Sequence, residues 1–303
     1  MRILLTGISG SIGASLVPAL AGDGHDLRGL SRDPGAVMAN LPVLRGDAIS
    51  GEGLEAALEG IDVAYFLIHS MEGPGAGFEQ RERAAAKNFV ACAARAGVRR
   101  VVYLGGIVPE GRTLSRHLRS RVEVERILLA GFQEAVALRA SIVIGARSRS
   151  FRFLVRLVER MRVLALPAWR AYRTQPIDVR DVRDMLVASA TTPHAGGGLS
   201  LDIAGPRILT YEAIIQRIAD LMLVRRPALR LGRDATPIAA PVAAAIAGED
   251  PGFIAPLMES LSGDLLARDD GAADLLGVRL HDFDRAVEAA LRMWEADEPL
   301  RAR

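Results

Sequence analysis

Three glycines near the start of the chain have the spacing of a phosphate-binding turn. Residues 6–13 read TGISGSIG and join a predicted strand to a predicted helix. The first glycine permits a tight turn, the second lets the backbone approach a pyrophosphate, and the third lets helix and strand pack closely. The N–H groups and positive dipole end of the helix would then face the phosphates of a dinucleotide. The predicted contacts in this loop are Gly7, Ser9, Gly10, Ser11, Ile12 and Gly13.

The end of the second predicted strand bears on which dinucleotide would bind. A site for NAD usually has an acidic residue there, which accepts a hydrogen bond from the ribose 2′-hydroxyl. This chain has Ser31 and Arg32 instead, and an arginine can hold a 2′-phosphate in bidentate geometry. Asp33 comes one position late and precedes Pro34, so capping the next helix is its alternative role. We therefore expect NADP(H) as the cofactor, with NAD(H) as the alternative.

The residues that follow the other predicted strands would lie at the same edge, because open parallel sheets bind ligands at the carboxyl ends of their strands. Asp47 follows the third strand and is either an acceptor for the adenine amino group or an ordinary turn residue. The further predicted cofactor contacts at this edge are Ala48, Ile68, His69 and Gly105.

His69 ends the fourth predicted strand and has two interpretations of equal weight. In the first, it lies with Ser70 near the nicotinamide ribose and takes part in catalysis. In the second, it caps the Gly/Pro loop at residues 73–75. That loop could also move as a lid over a ligand.

Composition excludes several other kinds of protein. Cys92 is the single cysteine, so an internal disulfide or a cysteine metal cluster is excluded, and the five histidines have no metal-ligand spacing. Lys87 is the only lysine and lacks the motif of a P-loop or a Schiff base. With 38 basic and 36 acidic residues, no nucleic-acid partner is expected. The start has no leader pattern, and no apolar run reaches the about 20 residues of a membrane span, so we expect a cytoplasmic protein. The cysteine and histidine pattern gives no reason to expect a metal.

The elements that must position these residues follow from the apolar pattern. Short apolar runs alternate with helical patterns in the first half, which predicts a parallel sheet. Strands are predicted at 2–6, 26–30, 41–45, 63–68, 101–104, 135–139 and 199–203. Helices are predicted at 12–21, 53–58, 79–96, 115–130, 151–161, 178–189, 210–223, 252–261 and 283–294. We expect an α/β fold, with a doubly wound Rossmann sheet in residues 1–150. A smaller, mostly helical substrate or lid part would occupy residues 151–303, interleaved with the last core strands.

These motifs resemble those of the short-chain dehydrogenase/reductase superfamily. The opening Thr6-Gly7-x-x-Gly10-x-x-Gly13 has the spacing of its extended and atypical branches, and residues 28–34 resemble their NADP-type second strand. Segments in both halves are similar to an atypical bacterial subgroup related to the NmrA-like proteins, namely residues 65–71, 103–106, 175–182 and 203–211. The resemblance covers most of the chain and implies an NAD(P)-binding protein with oxidoreductase relatives.

The chain departs from this family at its catalytic pair. The family uses Tyr-x-x-x-Lys, in which the tyrosine donates the proton and the lysine lowers its pKa and holds the nicotinamide ribose. No such pair exists here: His117 stands where the tyrosine would be and Arg121 where the lysine would be, with Ser120 and Glu125 of the flanking pattern kept. The usual serine or threonine after the fifth strand is replaced around Gly105.

His117 and Arg121 are four residues apart and would share one helix face. In one interpretation, His117 is a substitute general acid beside the nicotinamide, and Arg121 holds the ribose or a phosphate. In the other, the histidine is solvated or structurally paired on a helix that has lost catalysis. We favour the second because the partner serine or threonine is also missing. The permanently charged arginine would lower the pKa of the histidine in either case.

Four arginines recur at helical spacing in a later apolar helix, at positions 149, 152, 156 and 160. They form a solvated face, an anion-binding wall of a substrate pocket beside Trp169 and Tyr172, or a cationic surface for a membrane.

Two functions from different classes follow. The first is an oxidoreductase, or a related isomerase or dehydratase, acting on a small apolar or aromatic molecule with non-standard acid catalysis. The second is a non-catalytic, NmrA-like NADP(H) sensor that acts through a protein partner. A homo-oligomer is compatible with both.

Overall fold

A central parallel sheet organises the chain, whose computed structural model describes residues 1–69, 77–109, 111, 114–230 and 263–300. Seven strands lie in the order β11-β6-β5-β4-β1-β2-β3, and the other strands form three two-stranded pairs. The strands are β1 (Arg2–Thr6), β2 (Asp26–Ser31), β3 (Val43–Arg45), β4 (Val63–Phe66), β5 (Arg100–Gly106), β6 (Glu134–Ala140), β7 (Val143–Ile144), β8 (Leu164–Leu166), β9 (Arg173–Thr174), β10 (Ile177–Asp178), β11 (Leu199–Ile203), β12 (Leu209–Thr210) and β13 (Ala228–Arg230).

Helices cover both faces of this sheet, as a doubly wound fold requires. Among the described residues they are α1 (Ser11–Gly22), α2 (Leu54–Leu58), α3 (Phe78–Arg95), α4 (Arg116–Gly131), α5 (Arg149–Arg160), α6 (Val179–Ser189), α7 (Tyr211–Leu221), α8 (Ala272–Leu275) and α9 (Phe283–Asp297). One face packs against α1 and α6, and the other packs against α2, α3 and α4.

Strand β4 shows why its sequence is an unbroken apolar run. All four of its residues are buried. Val63 and Tyr65 belong to the core on one face, and Ala64 and Phe66 belong to the core on the other. Alternate side chains of a strand point to opposite faces, so a central strand covered on both sides needs apolar residues throughout.

A second core lies outside the sheet and is built from α5, α7 and α9. The chain does not pass into this part once and remain there, because α6 packs on α1 and β11 pairs with β6 at the edge of the sheet. The two parts therefore share the sequence beyond residue 150.

Most predicted elements match in type and place, with instructive differences at their ends. The fourth strand ends at Phe66 rather than at Ile68, because the N–H of Leu67 donates to the Thr6 hydroxyl, 3.2 Å away. Helix α4 runs from Arg116 to Gly131, each end one residue later than predicted, and Phe132 is its C-cap. The helix predicted at 252–261 lies outside the described residues.

Candidate functional site

The glycine turn after β1 has the tight geometry that its spacing predicts. Gly7 adopts a left-handed conformation with φ of +66°. A Cβ atom on Gly7 would lie 2.5 Å from the carbonyl oxygen of Leu67, and one on Gly13 would lie 2.5 Å from the carbonyl oxygen of Gly7. Both neighbours are backbone atoms with little freedom to move. The turn therefore packs against the end of β4 on one side and against α1 on the other.

The N-terminus of α1 is suited to an anionic ligand. Gly10 is its N-cap and provides no side-chain acceptor, and its first turn has no acidic residue. A Cβ atom on Gly10 would meet only the Gly7 carbonyl oxygen, at 3.2 Å, so the other side of this position is open. The predicted contacts Ser9, Ser11 and Ile12 lie in the same turn. The uncapped N–H groups and the helix dipole fit the pyrophosphate of a dinucleotide.

This turn lies at the point where the strand order of the sheet reverses. β1 pairs with β2 on one side and with β4 on the other, and β5, β6 and β11 follow beyond β4. Thr6 ties the two sides together, because its buried hydroxyl donates to the Tyr65 carbonyl oxygen at 2.8 Å. Ligands of open α/β sheets bind at such a crevice, outside the carboxyl ends of the strands.

At the end of β2, Arg32 and Asp33 have different environments. Asp33 caps a short 3-10 helix, since its Oδ1 accepts from the Gly35 N–H at 3.2 Å. The Ser31 hydroxyl donates to the Asp33 carbonyl oxygen at 3.0 Å. Arg32 is exposed and makes no ion pair among the described residues. Of the two predicted 2′-phosphate contacts, Arg32 is therefore the more available.

At the end of β3, Asp47 is built into a turn. Its Oδ1 accepts from the N–H of Ile49 at 2.8 Å, and its own N–H donates to the Glu52 carbonyl oxygen at 2.9 Å. Ala48 beside it is buried, and its carbonyl oxygen accepts from the Asn88 amide at 3.1 Å. Asp47 thus has the structural role of a turn residue, and its contact with an adenine stays a prediction.

The structure brings together the three predicted catalytic residues. Arg121 of α4 donates through Nη1 to Nδ1 of His69, which follows β4. His117 lies one turn earlier on α4 and is close enough for Arg121 to lower its pKa. Ile68 precedes His69 at the strand end, and Gly105 lies near the end of β5, where a Cβ would be 2.9 Å from the Tyr103 ring. Ser70 lies outside the described residues.

A residue that sequence analysis missed, Glu82, anchors this arrangement from α3. Its Oε1 lies 3.4 Å from Nη2 of Arg121, and both side chains are almost fully buried, at 2% and 6% exposed. Its other oxygen accepts from the Ser120 hydroxyl. We call Glu82, Ser120, Arg121 and His69 the Arg121 cluster. A signal for Glu82 exists in the sequence: it lies in helical phase with the buried Ala85, Ala86 and Phe89, where a lone acid needs a partner.

Both histidines near Arg121 have a pKa below the ordinary value of a histidine. For His117, the enclosed position of the ring and then Arg121 lower the pKa from 6.5 to about 3. Its Nδ1 is buried and has no hydrogen-bond partner among the described residues. The pKa of His69 is also well below its ordinary value, through the surrounding atoms, then Arg121 and then His117. His69 as a residue is open to solvent, which screens this effect.

Glu125, the other retained position of the family pattern, is used for packing instead. It is buried and binds Arg139 of β6 with two contacts, 2.8 and 2.5 Å long. Its Oε1 also accepts from the Ser200 hydroxyl of β11 at 2.8 Å. These contacts join α4 to two strands of the sheet.

The arginines of α5 also have partners in the fold. The Arg152 and Arg156 guanidinium groups lie 4.2 and 4.8 Å from the centre of the Trp294 ring in α9. Both also pair with Glu298. Neither a solvated face nor a membrane surface fits these two residues, because their charges join α5 to α9.

Two further kinds of site find no support in the part of the chain that the structure describes. No group of three or more histidine, cysteine, aspartate or glutamate side chains is placed to hold a metal ion there. No helix there is both long enough and apolar enough to cross a lipid bilayer.

Comparisons with known proteins agree with the geometry of the glycine turn. A family profile described as NAD(P)H-binding matches residues 7–142. A 3-beta-hydroxysteroid dehydrogenase from Mycolicibacterium neoaurum is 36% identical over 113 residues, which are 34% of this chain and 31% of that protein. The match thus spans about a third of the length of this relative.

Solved structures share the fold over nearly the whole chain. A nucleoside-diphosphate-sugar epimerase from Staphylococcus aureus superposes with a TM-score of 0.77 at 16% identity, covering 95% of this chain and 100% of that one. MoeE5 in complex with UDP-glucose and NAD superposes with a TM-score of 0.73 at 19% identity, covering 98% and 99%. At these identities the likeness concerns the fold.

Proposed function

We propose that this chain is an NADP(H)-dependent oxidoreductase of the short-chain dehydrogenase/reductase type that acts on a small apolar or aromatic molecule; an NAD(P)H-binding family profile matches residues 7–142, and solved structures share its fold. One observation carries the proposal: the Arg121 cluster lies beside the glycine turn. Leu67, whose carbonyl oxygen packs against Gly7, is two residues from His69, which Arg121 contacts. A buried cation and two imidazoles therefore lie at the sheet edge where the reacting end of a dinucleotide is expected.

The preference for NADP(H) rests on Arg32. Its guanidinium is exposed at the end of β2 and makes no ion pair within the described residues, whereas Asp33 is used as a cap. A free guanidinium there would bind a 2′-phosphate through charge-assisted hydrogen bonds. The glycine turn and the N-terminus of α1 would hold the pyrophosphate. When bound, the nicotinamide supplies or accepts a hydride.

The Arg121 cluster would act on the substrate by charge rather than by delivering a proton. Arg121 is fixed by Glu82 and stays protonated, so it can stabilise negative charge that develops on a substrate oxygen. With a pKa of about 3, His117 is almost entirely unprotonated at neutral pH and is a poor general acid. The proton would then come from water after charge has developed.

Charge stabilisation without a side-chain proton donor favours certain substrates. Quinones and enones delocalise the negative charge of the reduced anion, so they need a side-chain proton donor less than simple aldehydes do. The 3-beta-hydroxysteroid dehydrogenase relative supports an apolar substrate, although the match covers only part of each chain.

A non-catalytic NADP(H) sensor that acts through a protein partner is the second candidate. The observation that favours it is that the Arg121 guanidinium already contacts both Glu82 and His69. The low pKa of His117 also removes the obvious replacement for the tyrosine of the family.

A stopped-flow screen of NADPH oxidation distinguishes the two candidates. Purified full-length protein would be mixed with NADPH and a panel of quinones, enones and aldehydes. The oxidoreductase proposal predicts oxidation with some quinones or enones and slower reaction with aldehydes. Its matched variants are Arg121→Met, which should lower the rate, and Arg119→Met, an exposed arginine on the same helix, which should not. Tight binding without oxidation across the panel would overturn it in favour of the sensor.

A further inference from the structure

The contact between Arg121 and His69 constrains where the histidine carries its proton. A guanidinium has only N–H donors and no acceptor, so the ring nitrogen that it meets must accept. That nitrogen is Nδ1 of His69. In a neutral imidazole, one nitrogen accepts and the other carries hydrogen. The hydrogen must therefore be on Nε2, on the other side of the ring from Arg121.

The position of Arg121 is itself set by a second helix. Glu82 of α3 lies 3.4 Å from Nη2 of Arg121, while Nη1 of the same guanidinium faces His69. The Ser120 hydroxyl holds the other oxygen of Glu82, and the Tyr103 hydroxyl donates to the Arg121 carbonyl oxygen at 3.4 Å. Because the guanidinium is planar and its carboxylate partner is buried, its donors have little rotational freedom.

We propose that Glu82 and Arg121 are a positioning pair, which holds His69 as the Nε2–H tautomer so that it offers a fixed hydrogen-bond donor to an oxygen of the ligand. Nε2 of His69 lies on the side of the ring away from the Arg121 contact, and the residue is open to solvent at the sheet edge. The recipient would be a carbonyl or hydroxyl oxygen of the substrate or the nicotinamide ribose. The identity of the ligand rests on the proposed function, whereas the tautomer of His69 does not.

The charged and titratable groups around His69 act mainly in one direction. Desolvation of the ring opposes protonation most, followed by Arg121 and His117 of α4, whereas a backbone hydrogen bond with Ile68 favours protonation. Glu82 lies behind Arg121 and partly offsets the cation. Removing Arg121 should therefore make His69 easier to protonate and should free the choice of tautomer.

The test is a set of long-range 1H–15N spectra of histidine-labelled, cofactor-free full chain between pH 5 and 8. His69→Gln would assign the signals. Wild-type His69 should show hydrogen on Nε2 alone and little protonation across the range. In Arg121→Met, both tautomers should appear, and the protonation midpoint should rise toward the ordinary value of about 6.5.

Three further variants keep the test decisive. The double variant Glu82→Gln/Arg121→Met removes both buried charges, so it should fold even if Arg121→Met alone does not, and it should show the same change. Glu82→Gln alone should release Arg121 and produce mixed tautomers. Arg119→Met, an exposed arginine on the same helix, should leave the His69 spectrum unchanged.

Two results would overturn the positioning pair: hydrogen on Nδ1 in the wild type, or a wild-type His69 spectrum in the folded double variant. Neither result decides whether the proposed function is correct. If the spectra agree but no NADPH is bound or oxidised, only the proposed function fails. If NADPH is oxidised but Nδ1 carries the hydrogen, only the positioning pair fails.

Discussion

At the β1–α1 turn the geometry is carried by the backbone, whereas between α3 and α4 it is carried by side chains. The turn depends on three glycines within seven residues, and its close contacts are with carbonyl oxygens and a Cα atom. The Arg121 cluster depends on residues from three separate elements, with Glu82 and Arg121 39 positions apart along the chain. A backbone site tolerates few substitutions and keeps its pattern, whereas a side-chain site can exchange its chemistry while the fold persists.

The largest expected difference concerns the buried ion pair. Glu82→Ala would leave the Arg121 charge buried without its carboxylate, so the free energy of unfolding should fall by about 3–5 kcal/mol. Glu123→Ala removes an acid of the neighbouring, more exposed pair with Arg83 and should change stability little. Urea denaturation of the two variants makes the comparison, and equal losses would show that burial of the Glu82 pair does not set its contribution.

The glycine turn should respond through its backbone contacts. Gly13→Ala places a Cβ 2.5 Å from the Gly7 carbonyl oxygen, and relieving this overlap should cost about 1–3 kcal/mol. If that cost falls on the bound conformation, the affinity for NADPH should decrease roughly 10- to 100-fold.

Gly22→Ala is the matched control, because a Cβ at that end of α1 meets no atom within 4 Å. Fluorescence titration with NADPH should give wild-type affinity for this variant. Unchanged affinity in Gly13→Ala would mean that the turn does not form the binding surface.

Arg32 should affect the choice between the two dinucleotides. Arg32→Ala removes the exposed guanidinium at the end of β2, and the lost charged contact should weaken NADPH binding roughly 10- to 100-fold. NADH lacks the 2′-phosphate, so its affinity should change little. Equal weakening for both ligands in a competition titration would place Arg32 elsewhere than at the 2′-position.

His117 should show its low pKa in the dependence of stability on pH. The unfolded chain binds a proton near pH 6.5, whereas the folded chain binds it only near pH 3. Its contribution is therefore present above pH 6.5 and is lost as pH falls below that value, by at most about 1.4 kcal/mol per pH unit.

His117→Gln removes that part of the dependence. Its free energy of unfolding between pH 7 and 5 should fall less steeply than that of the wild type, as measured by urea denaturation. Parallel curves for the two proteins would contradict the low pKa.

How far the sequence predicts this molecule follows from the same contrast. The unbroken apolar run of β4 and the glycines of the first turn encode local requirements, so the sheet and the turn could be located without a structure. The contact of His69 with Arg121 depends on how far α4 lies from the end of β4, and no local pattern gives that distance. From the sequence, Glu82 could be recognised only as an acid on an apolar helix face. Its partner Arg121 is evident only when α3 and α4 are packed together.

We expect the chain to bind a nicotinamide dinucleotide and to prefer the phosphorylated form. The most direct test is equilibrium titration of the wild-type protein with NADPH, NADP⁺, NADH and NAD⁺ under one set of salt conditions. Binding should saturate at one site per chain, with NADPH and NADP⁺ tighter than their unphosphorylated counterparts. Absence of binding, or tighter binding of NADH and NAD⁺, would contradict it.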